Sequence, residues 1–441
     1  MGVAVLDFDD DFLRAEAPAR APAPLVAALD VGVSKTVCLA ARHDPVLDFH
    51  PGRPMRVSGV GVQTAPAVAS GKAADFDGCA RAIRVAMDEA AFMAGAPIRR
   101  VTATYSGPGL NAAILHGGVR VRGKIIGHRE IEAAIAAALQ TQPKSDRTIL
   151  HAEPLRFFID DGAPVDDPTG HSGRTLQVEV CAVSAPSQAI SALKACVRQA
   201  GAEVDEIVPG PSAAGFAALT RDEREAGALV LDIGAGAIGM AVFAEEGLVH
   251  AETVSVGGVR LTRDLAAKLR TSYAAAERVK LAFGAVHGAY DPREAIAAPR
   301  LGPDGRLEAA TTLRGVIADT LAPRLMEMLL LARQQLARAG FSGGDGPQRA
   351  VLVGGGAMIP GLRELAVEAL GMPVRIGRPD VSGFDHGEAG PAYAAASGAL
   401  RWRLDIPAPE DDEAAQPTLG DLIAAVRNSV SNAWRWLRDN F

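Results

Sequence analysis

Two apolar runs, about 200 residues apart, each end in Asp-x-Gly and resume as a second apolar run after a turn of small residues. Leu29-Asp30-Val31-Gly32-Val33-Ser34-Lys35-Thr36 leads into Val37-Cys38-Leu39-Ala40, and Leu231-Asp232-Ile233-Gly234-Ala235-Gly236-Ala237 leads into Met240-Ala241-Val242-Phe243. The pattern predicts two buried strand–turn–strand hairpins. Further along, periodicity predicts a strand over 55–63, a helix over 77–95 carried by Ile83, Val85, Met87 and Phe92, and a strand over 99–105. Helices are expected over 187–200, 209–219, 262–269 and 313–339, with loop or edge strand over 284–310. The strand 349–353 feeds Gly354-Gly355-Gly356. Both halves therefore run hairpin, helix, strand, glycine turn, which is a repeat at the scale of a duplicated lobe.

Between the repeats, residues 105–183 change texture: strands surround a short helix at 130–139 and a Pro/Gly/Asp-rich stretch follows. This predicts an inserted subdomain. The first lobe is then 25–104 with 184–226, and the second is 227–404 with its own insertion at about 259–316. Residues 1–24 read as a disordered, acidic, Ala/Pro-rich extension. An acidic, Pro-containing linker over 405–418 sets off a terminal helix over 419–441.

Composition changes this picture little. At 441 residues with 48% hydrophobic and 22% charged positions, the chain has enough material for several packed cores. A net charge of −7 gives no basic excess to neutralise phosphates, which argues against general nucleic-acid binding. Cys38, Cys79, Cys181 and Cys196 lack metal or disulfide spacing and read as small buried hydrophobes of a cytosolic chain. The N-terminus has neither the basic start nor the apolar core of a signal peptide, and no charge-free apolar stretch is long enough to span a bilayer.

The chemistry lies in the hairpins. A tight Asp-x-Gly turn can wrap backbone N–H groups around a phosphate while the carboxylate holds Mg²⁺ through water. Taken alone, either turn is an ordinary hairpin; two at corresponding positions suggest lobes that grip one nucleotide. Gly234-x-Gly236-x-x-Gly239 matches a dinucleotide fingerprint literally, but that fold needs a helix where the pattern here predicts strand. Ser34-Lys35-Thr36 resembles the end of a Walker loop without its glycine spacing. The triple-glycine turn permits close backbone approach to a flat ring or sugar. Glu277 and Lys280 share a helical face, where the plain reading is a surface ion pair.

The terminal segment carries one apolar stripe: Leu419, Leu422, Ile423, Val426, Val430, Trp434, Leu437 and Phe441. Trp436 lies beside it, and Arg427, Arg435 and Arg438 flank it. Either the helix packs on the body or it lies in a lipid interface, and the acidic linker with the Trp/Arg pairing favours the interface. Half-burying such a stripe yields ~6–10 kcal/mol, while ordering the segment costs a comparable amount at ~1–1.5 kcal/mol per residue. One copy therefore binds an anionic membrane weakly, and clustering supplies the rest.

Together the duplicated hairpins, the glycine turn and the Ala276-Glu277-Arg278-Val279-Lys280 helix resemble the actin/DnaK-type ATPase fold, two duplicated ribonuclease-H-like α/β domains. The inserted subdomain and the terminal amphipathic helix make the chain similar to the bacterial cell-division family FtsA. His151-Ala152-Glu153-Pro154, Pro168-Thr169-Gly170-His171-Ser172-Gly173, residues 219–227 and Val374-Arg375-Ile376-Gly377 carry the same resemblance, which covers about residues 25–441. It implies an ATP-binding protein that forms filaments with itself on the inner membrane, tethers FtsZ through its C-terminal peptide and signals to later divisome proteins. On that resemblance Asp30 and Asp232 orient Mg²⁺, and Gly32, Ser34, Lys35, Gly234 and Gly236 line the phosphates. Glu277 and Lys280 meet ribose or adenine, and Gly354, Gly355, Gly356 and Met358 close over the base. Arg300, Arg306, Arg314 and Arg324 fall where the family takes the acidic FtsZ peptide; the plain alternative is a solvated basic face.

The chain departs from the family pattern at its turns. Val33 replaces a usual Thr, and Ala235, Ala237 and Gly239 stand where the second turn normally offers glycine, hydroxyl and acid. Binding without appreciable turnover is the expectation. Two other readings stay open: a PilM-like pilus-assembly adaptor, which would lack the terminal helix, and a small-molecule kinase, for which the sequence shows no cleft base.

Overall fold

A computed structural model describes residues 24–42, 55–64, 76–123, 125–142, 146–245, 247–342, 346–383 and 390–405. The predicted extension (apart from Pro24), nearly all of the linker and the terminal helix lie outside these residues. The first lobe opens with β1 (Leu25–Val31), β2 (Lys35–Arg42), β3 (Met55–Thr64), α1 (Phe76–Ala94) and β4 (Arg100–Tyr105). The chain then builds β5 (Asn111–Arg120), α2 (His128–Gln140), β6 (Arg147–Ile159), β7 (Pro164–Val165) and β8 (Thr175–Pro186). It continues through α3 (Ser187–Ala200), β9 (Glu203–Pro209), α4 (Gly210–Ala218) and α5 (Arg221–Ala226).

The second half starts with β10 (Ala228–Ile233), β11 (Ile238–Ala244), β12 (Gly247–Val254), α6 (Gly258–Leu269) and α7 (Tyr273–Phe283). Short strands β13 (Ala295–Ala297), β14 (Arg300–Leu301), β15 (Leu307–Glu308) and β16 (Thr311–Leu313) lead into α8 (Arg314–Arg338). Then come β17 (Arg349–Val353), α9 (Leu362–Leu370), β18 (Val374–Ile376), β19 (Val381–Ser382) and α10 (Ala394–Asp405).

Two sheets organise these elements. One runs β19-β3-β2-β1-β4-β9, the other β18-β17-β10-β11-β12-β5-β8-β6-β7. Strands β3-β2-β1-β4-β9 and β12-β11-β10-β17-β18 correspond one to one: the first three are antiparallel and the last two join in parallel. The expected duplication is therefore present strand for strand. Gly239 lies within β11, paired with Asp232, so the dinucleotide fingerprint is accidental.

The insert's β5 pairs with β8 along its whole length and meets β12 at Asn111–Glu252. Its sheet thus continues that of the second lobe. Helix α2 covers the insert through Ile131, Ile135 and Leu139 against Leu176 and Val178. Arg147 clamps the start of β5 to the end of β8, with Nε donating to Ser184 Oγ at 3.0 Å and Nη2 donating to the carbonyls of Gly109 and Ser184 at 2.7 Å each, and to Asn111 Oδ1.

Helix α8 keeps Pro323 inside it. An interior proline costs about 3 kcal/mol. Ile317, Leu321, Leu325, Met328, Leu329 and Leu336 on its core face outweigh that at ~1.5–3 kcal/mol each. Thr220 and Glu223 cap α5 reciprocally, and Arg375 closes on Glu223 from β18. All four cysteines are buried thiols, and burial pushes Cys38 and Cys181 up to about 12. Among the described residues, no helix is long and apolar enough to cross a membrane.

Candidate functional site

Both hairpins close alike. The Gly32 N–H donates to the Lys35 carbonyl at 2.9 Å, and the Gly234 N–H to the Ala237 carbonyl at 3.0 Å. Asp30 and Asp232 occupy matching registers, opposite Val37 and Gly239. The two turns also meet: a Cβ built on Gly236 would lie 2.6 Å from Val33 Cγ2, so the valine side chain rests directly on the glycine. The sequence-predicted turn residues are brought together from opposite lobes.

Beneath that contact lie the charges. Thr104 Oγ1, at the end of β4 beside β1, donates to Asp30 Oδ1. Burial raises the Asp30 carboxyl above its ordinary value, opposed by Thr104 and by Lys35. Asp232 is pushed up to about 7, by desolvation first and by the Asp30 charge second, while Lys35 pulls it down. Lys35 is itself lowered by burial, against the attraction of both carboxylates. One ammonium thus acts on two acids, a charge balance that a further cation would improve.

Lys35 has two more partners. Nζ donates to the Ala392 carbonyl at 2.8 Å and sits 4.4 Å from the centroid of the Tyr393 ring. The 3₁₀ turn Pro391–Tyr393 also accepts from the Gly354 N–H, through Pro391, at 3.0 Å. It therefore straps the first-lobe turn to the triple-glycine turn. Strand β17 runs parallel to β10 and ends at Val353 beside Asp232. Gly354 has φ +82°, and a Cβ there would fall 2.3 Å from Asp232 Oδ1; a Cβ on Gly355 would meet open space. Met358 is 61% exposed.

Helix α6 backs the second turn. The Gly258 and Val259 N–H groups donate to the Gly234 and Ala235 carbonyls at 3.0 and 2.9 Å. Lys280 Nζ donates to Glu277 Oε2 at 2.7 Å and to Thr262 Oγ1 at 2.8 Å, and Thr262 also bonds Glu277. The Glu277–Lys280 pair is partly buried and faces the turn, not the outer surface. Gly239 packs so close to Pro211 that a Cβ would lie 2.4 Å from the proline ring, which leaves no room for a side chain at this position.

The four arginines do not form one bare basic face. Arg300 and Arg306, on the exposed β14–β15 hairpin, lie 3.6 Å from Glu308 and 3.7 Å from Asp304. On α8, Arg314 bonds Glu294 at 2.7 Å, and Arg324 bonds Asp264 at 2.6 Å and reaches Glu327. Leu422, Ile423, Val426, Arg427, Val430, Trp434, Arg435, Trp436, Leu437, Arg438 and Phe441 lie outside the described residues.

Sequence reasoning missed Thr104, Thr262, Ala392 and Tyr393 as neighbours of these groups. Thr104 had one usable signal, a polar position at the carboxyl end of a buried strand, where α/β sheets place ligands. The strap had none.

A family model described as "Cell division protein FtsA" matches residues 229–398, and one described as "SHS2 domain inserted in FTSA" matches residues 107–184. The cell division protein FtsA of Rhizobium meliloti (strain 1021) is 35% identical over 382 residues, covering 85% of this chain and 86% of that protein. The protein of the same description from Agrobacterium fabrum (strain C58 / ATCC 33970) is 33% identical over 426 residues, covering 95% of both. Among solved structures, a chain of the PilM-PilN type IV pilus biogenesis complex matches with a TM-score of 0.60 at 20% identity, covering 87% of this chain and 99% of that one. At that identity the likeness concerns the fold.

Proposed function

The chain belongs to the FtsA family of cell division proteins, and from that premise we propose that it binds ATP with Mg²⁺ between its lobes. On the same premise it polymerises on the cytoplasmic face of the inner membrane, tethers FtsZ and helps recruit later divisome proteins. Its fold is actin-like and its place is in cell division. The pilus-adaptor and kinase readings are not favoured, since the family models and curated relatives are those of FtsA.

One observation carries the nucleotide reading: Asp30 and Asp232 occupy matching registers of equivalent hairpins whose turns touch at Val33 and Gly236. The donor set suits the ligand. Two desolvated carboxylates with raised pKa values favour a divalent cation held through water, and Gly354–Gly355 offers backbone and open space where a side chain would intrude. Lys280, Glu277 and Thr262 sit beside the second turn and are our candidates for meeting the nucleoside. Bound Mg²⁺ would neutralise phosphate charge; this chain's part is to position and cradle. Turnover is slow or absent, because the second turn has neither hydroxyl nor acid and Gly239 has no room for one.

An acidic FtsZ peptide would have to displace the internal carboxylate partners of Arg300, Arg306, Arg314 and Arg324. The hairpin pair is the easier to free, Arg306 being 88% exposed. Charge reversal at Arg306 and Arg314 that left FtsZ-peptide binding intact would remove this placement.

The function is tested by flotation with anionic liposomes, comparing the full chain with one truncated after Asp405, alongside ATP binding by the full chain and Asp232→Asn. Flotation of the full chain alone, with Mg²⁺-dependent ATP binding lost in the variant, is expected. If neither form floats at high protein density, the membrane role fails.

A further inference from the structure

The four cysteines are spread along the chain without disulfide spacing, but the fold sets two of them side by side. Cys79 lies at the end of the first turn of α1 and Cys196 in the second half of α3. The two helices share one apolar cluster, with Ile83 on the first and Val197 and Ala200 on the second. Helical side chains lean toward the N-terminus of their helix, which brings the Cys79 thiol back over the turn that begins at Phe76. Cys196 Sγ occupies the same spot: it lies 3.9 Å from the Phe76 carbonyl oxygen, and its thiol also bonds that of Cys79. Polar ties bracket the contact. Gln199 Nε2 donates to Asp77 Oδ1 at 2.8 Å, and Arg84 donates to the Gln199 and Ala200 carbonyls at 2.6 and 3.2 Å. Each cysteine is 7% exposed.

We propose that Cys79 and Cys196 are a reversible redox pair, closed to a disulfide by a peroxide and reopened by a dithiol. A peroxide first converts one thiol to a sulfenic acid; the O–O bond breaks and one water leaves. The second thiol attacks that sulfur, the S–O bond breaks, and the hydroxyl departs with the remaining thiol proton as a second water. Each sulfur gives up one electron, and the peroxide oxygens take both. Thiols already in hydrogen-bond contact have only to turn about χ1 and close the remaining gap to about 2.05 Å. Bonding to Cys79 first, and burial second, raise the Cys196 thiol. A thiol held protonated reacts slowly, so the pair answers sustained oxidation and ignores a brief exposure. Cys79 and Cys196 are 117 positions apart, and the segment between them carries the whole insert. A bond there closes that segment into one covalent loop, which restricts the unfolded chain far more than the folded one.

The test treats the full chain with hydrogen peroxide, then alkylates it in denaturant and maps the peptides by mass spectrometry. One linked pair, Cys79 with Cys196 and lighter by two hydrogens, is expected, while Cys38 and Cys181 stay alkylatable. Dithiothreitol should restore all four thiols. The melting temperature should rise by about 5 °C on oxidation and return on reduction. In Cys79→Ala and Cys196→Ala, peroxide should leave it unmoved. Four alkylatable thiols after prolonged treatment, sulfinic acids in place of a link, or a link to Cys38 or Cys181 overturns the pair, and none of these outcomes depends on a variant folding.

Discussion

Gly354 and Asp232 are so close that a methyl group on the glycine would lie 2.3 Å from the carboxylate oxygen. The contact follows from β17 lying parallel to β10, with Val353 level with Asp232, and from the left-handed backbone at residue 354. Gly354→Ala combines backbone strain with steric clash and should cost about 2–4 kcal/mol of stability. Chemical denaturation measures this, and nucleotide protection against heat should vanish in the same variant. A neutral substitution would mean that the turn can move away from Asp232 freely.

Lys35 and Tyr393 join segments far apart in sequence. A double-mutant cycle with Lys35→Ala and Tyr393→Ala should return a coupling energy of about 1 kcal/mol, as a partly buried cation–π contact does. Additive losses would assign the tie to the Ala392 carbonyl alone.

The Glu223 carboxylate accepts from Arg375 Nε at 2.7 Å and from Nη2, and Arg349 stands 3.8 Å away. Arg375 above all holds the Glu223 pKa below its ordinary value, which is also its unfolded value. A depressed folded pKa means that the stability it contributes is complete above about pH 4.5 and is lost as pH falls through the folded value. Glu223→Gln should lower stability at pH 7 by about 1–3 kcal/mol. Its melting temperature should then fall less steeply than the wild type's between about pH 5 and 3.

Arg147, at the start of β6, ties the start of β5 to the end of β8 within the insert. Arg147→Ala should cost about 1–3 kcal/mol. In hydrogen exchange, amides of β5 and β8 should lose protection while those of α1 do not. Uniform loss across the chain would show that this end of the insert opens only with global unfolding.

The elements were legible because local rules decide them. The Asp-x-Gly turns and the glycine closing α3 each fix a boundary within a few residues of sequence. What escaped is long-range register. Nothing near Asn111 says that it will lie beside Glu252, and nothing in Pro391-Ala392-Tyr393 names Lys35 as its partner. The arginine cluster shows the opposite failure. Counting basic residues ignored Asp264, Glu294, Asp304 and Glu308, which the fold sets against them. Val33 was visible as a missing hydroxyl, but that it touches the other turn depends on how the lobes close.

The shared sheet also has a consequence in time. The β5 edge is made early in translation, yet β12, the strand that joins it at Asn111, begins at Gly247, 127 residues after β5 ends at Arg120. At ~5–20 residues per second, a ribosome needs roughly 6–25 s to supply it. For that interval the nascent insert carries an open strand edge, the feature most prone to pairing with a stranger. Polar Asn111 and His116 and the glycines Gly117 and Gly118 on β5 make that edge a poor template while it waits.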